Sequence, residues 1–359
     1  MQEKYIELIH VEEGAIITED VFVGTLNPIV RSGTILTHTH IDVLTTFLIQ
    51  KIKIQDDQKI SNDKKTTDIN EELLLTKSEV EDYDILYLYQ EATEKMKREY
   101  SKWQAGMTPD ITIMRQIIVP LLDYIEQHKV NYAFLANPDA KDYISHHSIA
   151  VGMLTYAMAR KLELAVGQAI QLGIAGTLID SGMAKMPLAI TQKAGRLTEN
   201  ELKEIKKHPI YSYQLIKDSP LIRSEMKLAI LQHHERLDGT GYPRREKQDQ
   251  LTIYSRILSV ADTFHARISK RVYSDGEAIY KVLESFKGEL NKYDIRAVTA
   301  LKKLVGMFQI NDIVELSNGM IGKVVFVRQE EPLRPIIILA NDRKVDLTQR
   351  RDLFVMRMI

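Results

Sequence analysis

The sequence predicts a mainly α-helical protein with a small β-containing module at each end. Between residues 143 and 305, apolar residues recur at spacings of three and four, which is the period of an amphipathic helix. Toward both ends of the chain the apolar runs are shorter and alternate with polar residues. Asn318-Gly319, for example, is a hairpin signal between expected strands at 313–316 and 321–327. We therefore expect a central helical bundle with two smaller flanking modules.

The chain divides into five expected segments. Residues 1–54 form a small α/β or β module. Residues 55–77 form a charged linker, because they contain too little apolar surface to offset the entropy lost on ordering. Residues 78–134 form a helical connector, for which a stalk and a homodimer contact both remain open. The main helical domain is expected at residues 135–308 and a small β-barrel-like module at residues 309–359.

Two helix starts can be placed by their end signals. Thr198 and the glutamate three residues later form a capping-box pattern, and the helix that they start should carry His208 on its apolar face. Ser219-Pro220 should open a further helix that ends near His233. These helices therefore bring histidines to their inner faces.

Composition limits the classes of function. The formal net charge is −1, so we expect no general attraction to DNA or to an anionic membrane. The chain has no cysteine, which suits a reducing cytoplasm and leaves imidazole and carboxylate as metal ligands. Such ligands favour iron, manganese or zinc. We see neither a signal peptide nor an apolar stretch long enough to cross a bilayer, and we expect a cytoplasmic protein.

Side chains that can bind a metal ion lie on or beside the apolar faces of successive expected helices. A single histidine facing a core is more often structural than a ligand. A recurrence on successive helices, ending in an adjacent pair, is harder to explain in that way. Helical bundles build binuclear sites from inward-facing groups of this kind. The candidate ligands are His147, Asp180, His208, His233, His234 and Asp262.

The segment from His233 to Pro243, HHERLDGTGYP, resembles the signature of the HD-GYP domain, a branch of the HD phosphohydrolase superfamily. His147-Ser148, His208-Pro209 and Val260-Ala261-Asp262 match other marks of that family. The resemblance covers roughly residues 135–305. It implies an HD-superfamily helical bundle that binds two or sometimes three metal ions, often iron or manganese, and hydrolyses cyclic di-GMP.

The resemblance also implies ligand roles. His147 and Asp262 would serve one metal ion together with Asp180, which would bridge to a second ion and be the central catalytic residue. The second ion would be completed by three histidines. Two cations close together activate water and stabilise charge during in-line attack on a phosphodiester. The histidines of the second ion would be His208, His233 and His234.

Several positions depart from the family pattern. The histidine of the family's His-Asp pair is Ile179 here, and isoleucine has no lone pair with which to bind a metal. The family lysine that holds substrate phosphate is Met183, and Lys185 lies two residues further on. Ser212 stands where glycine commonly follows the His-Pro motif. Because Ile179 and Met183 affect the same side of the site, hydrolysis should be weakened or lost.

Other residues are candidates for substrate contact. Arg271 and Tyr273 match positions where the family often places a basic and an aromatic residue near the nucleotide, although a solvated surface position is an equally simple explanation. Tyr242 belongs to the Gly-Tyr-Pro loop, which serves either the nucleotide or a protein partner. Lys185 is a further candidate for phosphate binding.

The sequence thus favours an HD-GYP-type protein of cyclic di-GMP signalling with impaired hydrolysis. The alternative is a non-catalytic adaptor that binds a cyclic dinucleotide or another protein. A third interpretation, a helical scaffold whose histidines are remnants, predicts neither metal nor nucleotide binding.

Overall fold

The computed structural model describes residues 3–21, 30–37, 40–41, 44, 49, 51–55, 77–136, 142–191, 193, 195–270, 276–306 and 308–359. The chain separates into two compact units, Met1–Val80 and Glu81–Ile359. Within the described ranges, no helix is both long enough and apolar enough to cross a membrane. Most of the expected linker at residues 55–77 lies outside the described residues, and the division into five segments stays a prediction.

The first unit contains a small antiparallel pair of strands. Strand β1 (Glu3–Glu7) pairs with β2 (Lys51–Gln55), and Ile6 lies opposite Ile52. Isolated bridges such as Ile17 to Ile54 extend this pairing. The unit has its own apolar core, formed by Leu8, Ile17, Val30, Leu36, Leu44, Ile52 and Ile54.

Helices make up most of the remaining chain. The mainly helical class predicted from the sequence is confirmed. The helices are α1 (Lys77–Gln104), α2 (Ile111–Gln127), α3 (Tyr143–Lys161), α4 (Val166–Leu178), α5 (Leu188–Thr191), α6 (Glu199–Ile205), α7 (His208–Ile216), α8 (Ser224–Gln232), α9 (Ile253–Ile268), α10 (Ile279–Ser285) and α11 (Ile295–Val305).

Helices α3 and α4 approach each other closely through glycines. A Cβ atom on Gly176 would lie 2.8 Å from the Cα of Gly152, so neither position has room for a side chain. This close packing brings the part of α3 that carries His147 near the end of α4, where Asp180 follows. The glycines therefore help to position two of the candidate ligands.

The observed helix starts agree only in part with those predicted from the sequence. The capping box at Thr198 is confirmed, because its hydroxyl accepts from the Glu201 N–H and its own N–H bonds to the Glu201 carboxylate. However, α6 ends at residue 205 and His208 opens a new helix. Helix α8 begins at Ser224, not at Ser219-Pro220, because the Ser219 hydroxyl accepts from the Leu221 N–H and stabilises a local turn instead.

The C-terminal module is an antiparallel sheet with strand order β6-β5-β4-β3-β7. The Asn318-Gly319 hairpin is confirmed, and Gly319 adopts the positive φ of 80° that the turn requires. The sheet shares one continuous apolar core with the helices. Its strands are β3 (Ile313–Leu316), β4 (Ile321–Phe326), β5 (Ile336–Leu339), β6 (Lys344–Asp346) and β7 (Val355–Met358).

Candidate metal centre

The structure brings all the candidate ligands predicted from the sequence to one place in the helical bundle. They come from the start of α7, the ends of α4 and α8, and the inner faces of α3 and α9. In chain order these ligands are His147, Asp180, His208, His233, His234 and Asp262.

Asp180 lies at the centre of this cluster. One of its carboxylate oxygens, Oδ1, is 3.1 Å from Nε2 of His208 and 3.8 Å from Nε2 of His233. The other, Oδ2, is 3.5 Å from Nε2 of His147. Asp180 therefore faces both groups of histidines, as a bridging carboxylate would. One ligand atom each from Asp180, His208, His233 and His234 lies within 4.8 Å of the others.

Asp262 links the cluster from the other side. Its Oδ1 atom is 3.1 Å from Nε2 of His147, and its Oδ2 atom is 3.3 Å from Nδ1 of His234. His234 thus lies between the two groups that the family resemblance separates. The two carboxylates together contact all four imidazoles.

The backbone fixes how two of the imidazoles point. Nδ1 of His208 is 2.8 Å from the carbonyl oxygen of Ile205, and Nδ1 of His233 is 2.7 Å from that of Ile230. A carbonyl oxygen only accepts, so both Nδ1 atoms carry the proton. In the neutral rings both Nε2 atoms then present lone pairs. They face each other at 3.3 Å, an arrangement that a cation between them would stabilise.

The electrostatics keep His233, His234 and Asp180 in their metal-binding protonation states. Burial lowers the pKa of His233 to about 4 and the pKa of His234 well below its ordinary value. Burial alone would raise the pKa of Asp180, but the adjacent imidazole of His208 and those of His147 and His233 outweigh it and lower that pKa. At neutral pH, His233 and His234 are therefore neutral and Asp180 is ionised.

A divalent metal ion fits this set of donors. Imidazole nitrogens and carboxylate oxygens converge, His208 and His233 are buried while Asp180 and His234 are partly buried, and two lone-pair-bearing nitrogens meet at short range. Iron, manganese and zinc all bind such nitrogen and oxygen ligands. His208, His233, His234 and Asp180 would hold one ion, and His147, Asp262 and Asp180 a second.

The two altered positions of the family motif have different surroundings. The side chain of Ile179 is fully buried and belongs to the main apolar core, so this position contributes no ligand. Met183 is partly buried, in the short 3₁₀ helix Ser181–Lys185 that follows Asp180. Lys185, predicted as a phosphate contact, is exposed at the end of that helix.

Ser212 anchors the turn that carries Asp180. Its buried hydroxyl donates to the Ile179 carbonyl oxygen and accepts from the Gly182 N–H at 2.8 Å. Gly182 lies so close to α7 that an added Cβ would be 2.2 Å from the His208 carbonyl oxygen. Both contacts fix the turn against the helix that begins with His208.

The Gly-Tyr-Pro loop covers one edge of the cluster. The Tyr242 ring lies over the His234 ring, with centroids 4.6 Å apart and an interplanar angle of 32°. Burial raises the pKa of Tyr242, so the phenol stays protonated. The buried Glu235 carboxylate holds the loop by accepting from the backbone N–H groups of Arg244 and Glu246.

Two residues near the site were missed by the sequence reasoning. His265 is fully buried, and its Nδ1 lies 2.9 Å from Nδ1 of His147. It follows Asp262 by three residues on α9, so helical spacing could have indicated it. Tyr100 comes from α1, and burial together with the Asp180 charge raises its pKa. No local sequence signal connects such a distant residue to the site.

Arg271 and Tyr273, the other predicted nucleotide contacts, lie outside the described residues.

Comparison with known proteins agrees with the resemblance. Residues 130–296 match the protein family described as "HD domain". This part of the chain is therefore similar to the HD domain family, and it contains the Gly-Tyr-Pro sequence at residues 241–243.

The similar proteins are phosphodiesterases of cyclic dinucleotides. A cyclic di-GMP phosphodiesterase of Pseudomonas aeruginosa is 34% identical, over 51% of this chain and 44% of that protein. One of Borreliella burgdorferi is 31% identical, over 57% of this chain and 54% of that protein. The 3'3'-cGAMP-specific phosphodiesterase 3 of Vibrio cholerae is 33% identical, over 47% of this chain and 37% of that protein. The chain thus spans about half or less of the length of these curated relatives.

Proposed function

We propose that residues 130–296 bind divalent metal ions and a cyclic dinucleotide, and that this domain acts in cyclic di-GMP signalling with weakened hydrolysis. The observation that carries this proposal is the convergence of Asp180, His208, His233 and His234, whose ligand atoms lie within 4.8 Å of one another. The names of the relatives support the class of substrate, and two different cyclic dinucleotides occur among those names.

Hydrolysis would proceed by attack of water on phosphorus. The water oxygen forms a bond to phosphorus, the bond to one ribose oxygen breaks, and that oxygen takes a proton, which opens the ring to a linear dinucleotide. Two bound cations supply the positive charge that activates water and stabilises the reacting phosphate. The contribution of this chain is to hold the phosphate near Asp180, with Tyr242 closing one edge of the site.

Two features support weak rather than efficient turnover. Ile179 leaves the His147 side with three candidate protein ligands, one of them the shared Asp180, and Met183 removes a positive charge near the phosphate. Loss of outer support for a metal ligand alone costs about 10–100-fold in affinity or activity, and loss of a ligand should cost more. Removing a charged group that stabilises the transition state adds to this loss.

Binding without turnover is a second candidate, and one observation favours it. The cluster of three histidines and Asp180 contains neither of the altered positions 179 and 183, so a metal ion and a phosphate can be held there even when the His147 side is weak. In that case the domain would report the nucleotide to the rest of the chain.

One anaerobic preparation tests both candidates. We expect at least one tightly held metal ion per chain, binding of cyclic di-GMP by calorimetry, and slow formation of linear product in the presence of manganese or ferrous iron. Formation of the linear product would indicate an enzyme, whereas nucleotide binding without product would indicate a non-catalytic binder. Absence of both metal and nucleotide binding would contradict the proposal and favour a helical scaffold.

A matched pair of variants links these results to the site. His233→Ala should lose the metal ion and nucleotide binding, because Nε2 of His233 is one of the convergent lone pairs. His128→Ala serves as the control, since His128 stacks on Tyr124 at the end of α2, outside the ligand cluster. Equal behaviour of the two variants would show that the ligand assignment is wrong.

A further inference from the structure

In the described part of the chain, Lys206 is the one residue whose cationic side chain contacts the ring of Tyr242, the tyrosine of the Gly-Tyr-Pro loop. It is the C-terminal cap of α6, two residues before His208. Its ammonium nitrogen lies 5.4 Å from the centroid of the Tyr242 ring. Because that ring lies over His234 at 4.6 Å and faces His208 at 6.4 Å, Lys206 is at the rim of the metal cluster.

Two neighbouring cationic side chains are already paired. Lys207 forms an ion pair with Glu204 at 2.5 Å, and Lys193 forms one with Glu201 at 2.7 Å. For Lys206, the described residues provide the aromatic face of Tyr242 and no carboxylate within ion-pair distance. A cation–π contact at an exposed site is weak, whereas an ammonium–phosphate contact is a strong charge-assisted bond. The ammonium of Lys206 can therefore turn toward an anion without breaking an ion pair.

The site lacks the positively charged side chain that the family uses to bind a substrate phosphate. The family lysine for phosphate is Met183 here, and Lys185 is exposed at the far end of its short helix. A cyclic dinucleotide carries two negatively charged phosphates, and the protein ligands of the cluster include two carboxylates. Positive charge beyond the metal ions would therefore stabilise the bound nucleotide.

We propose that Lys206 binds a phosphate of the nucleotide at the side of the cluster formed by His208, His233 and His234, and so provides the charge that Met183 does not. This inference rests on the proposed function. In this proposal, the Tyr242 ring positions the Lys206 ammonium at the rim of the metal cluster before the nucleotide binds. Lys206 is a binding residue in this proposal and contributes no metal ligand.

The test compares Lys206→Met with Lys207→Met in the full-length, metal-loaded protein. Both variants remove one positive charge from adjacent exposed positions, but the Lys207 ammonium is held by Glu204. For Lys206→Met, calorimetry with cyclic di-GMP should give a dissociation constant raised about tenfold to a hundredfold, the effect of losing one charged hydrogen bond. Lys207→Met should stay within about twofold of the wild-type protein.

Two further measurements identify the cause. Metal content should be unchanged in both variants, and Lys206→Arg should recover most of the affinity because it keeps the positive charge. Loss of metal from Lys206→Met, or an equal loss of affinity in Lys207→Met, would overturn the inference. So would unchanged affinity in Lys206→Met. If the wild-type protein itself binds no cyclic di-GMP, the proposed function fails, and this inference fails with it.

Discussion

The hydroxyl of Ser212 donates a hydrogen bond of 2.6 Å to the carbonyl oxygen of Ile179. The same hydroxyl accepts from the N–H of Gly182 at 2.8 Å, so a single side chain of α7 spans the turn that carries Asp180. Because α7 begins with His208, this bridge fixes the distance between Asp180 and one of its histidine partners. Ser212 is thus a positioning residue for the candidate bridging carboxylate.

Ser212→Ala should weaken both the fold and metal binding. The substitution leaves the Gly182 N–H without its partner in a buried place, which should lower the free energy of unfolding by about 1–3 kcal/mol. It should also reduce metal affinity, because Asp180 is no longer held against His208. Urea unfolding and metal titration measure the two effects.

Ser181→Ala is the matched control for this prediction. Ser181 is also buried, but among the described residues its hydroxyl bonds only to the Leu178 carbonyl oxygen within the same turn. It should therefore cost some stability with little change in metal affinity. Equal metal affinities for Ser212→Ala and the wild-type protein would exclude a positioning role for Ser212.

His265 should support the metal ion on the His147 side. If Nε2 of His147 binds the ion, its Nδ1 carries a proton, and the Nδ1 of His265 at 2.9 Å accepts it when the proton of His265 is on Nε2. His265→Leu removes that acceptor, which should weaken metal binding at this side by about 10–100-fold. The ion held by His208 and His233 should be retained, so metal content after dialysis should fall without reaching zero.

His146→Leu provides the comparison for His265→Leu. His146 precedes His147 on α3 but faces Tyr89, with its Nδ1 3.2 Å from the tyrosine hydroxyl. The substitution should leave metal content unchanged. A loss of metal that is equal in the two variants would indicate a general effect on α3 and contradict the specific role of His265.

The convergence of the candidate ligands could be predicted from the sequence, but their detailed arrangement could not. Helical spacing placed His147 and Asp262 on or beside apolar faces, and a helix was expected to end near the adjacent His233-His234 pair. The sequence did not indicate that His234 contacts Asp262, because the direction of an imidazole at a helix end depends on local backbone geometry. Tyr100 was missed for a different reason: it reaches the site through packing of a helix that is distant in sequence.

The metal-free protein should lose stability in mild acid. The pKa of His233 is lowered to about 4 in the folded state, against 6.5 for an ordinary histidine. Between these values the unfolded chain binds more protons than the folded protein, so the free energy of unfolding falls as the pH falls from about 6.5 to about 4. His233 alone should contribute on the order of 3 kcal/mol to this loss.

Urea unfolding of the metal-free protein across this pH range measures the effect. His233→Asn should flatten the dependence, because asparagine takes up no proton. Above about pH 6.5 His233 is neutral in both the folded and the unfolded chain and causes no loss of stability, so the wild-type curve should level off there. A slope that is unchanged in His233→Asn would show that the acid sensitivity comes from other groups.

Restoring the family motif should reveal how much of the catalytic machinery is retained. Met183→Lys adds a positive charge at the partly buried position next to the turn of Asp180, and Ile179→His offers the missing imidazole. Because the Ile179 side chain lies fully in the apolar core, a histidine there remains an unsatisfied buried polar group unless it reaches a metal ion.

The double variant should therefore be less stable than the wild-type protein in the absence of metal, and it should recover stability when manganese is added. Product formation from cyclic di-GMP should rise at least about tenfold, since a metal ligand and a phosphate contact are restored together. Met183→Lys alone, which leaves the His147 side incomplete, should raise nucleotide affinity more than turnover. If manganese fails to stabilise the double variant, the histidine at position 179 does not reach the cluster, and the turn between α4 and the short 3₁₀ helix differs from the geometry that the family motif implies.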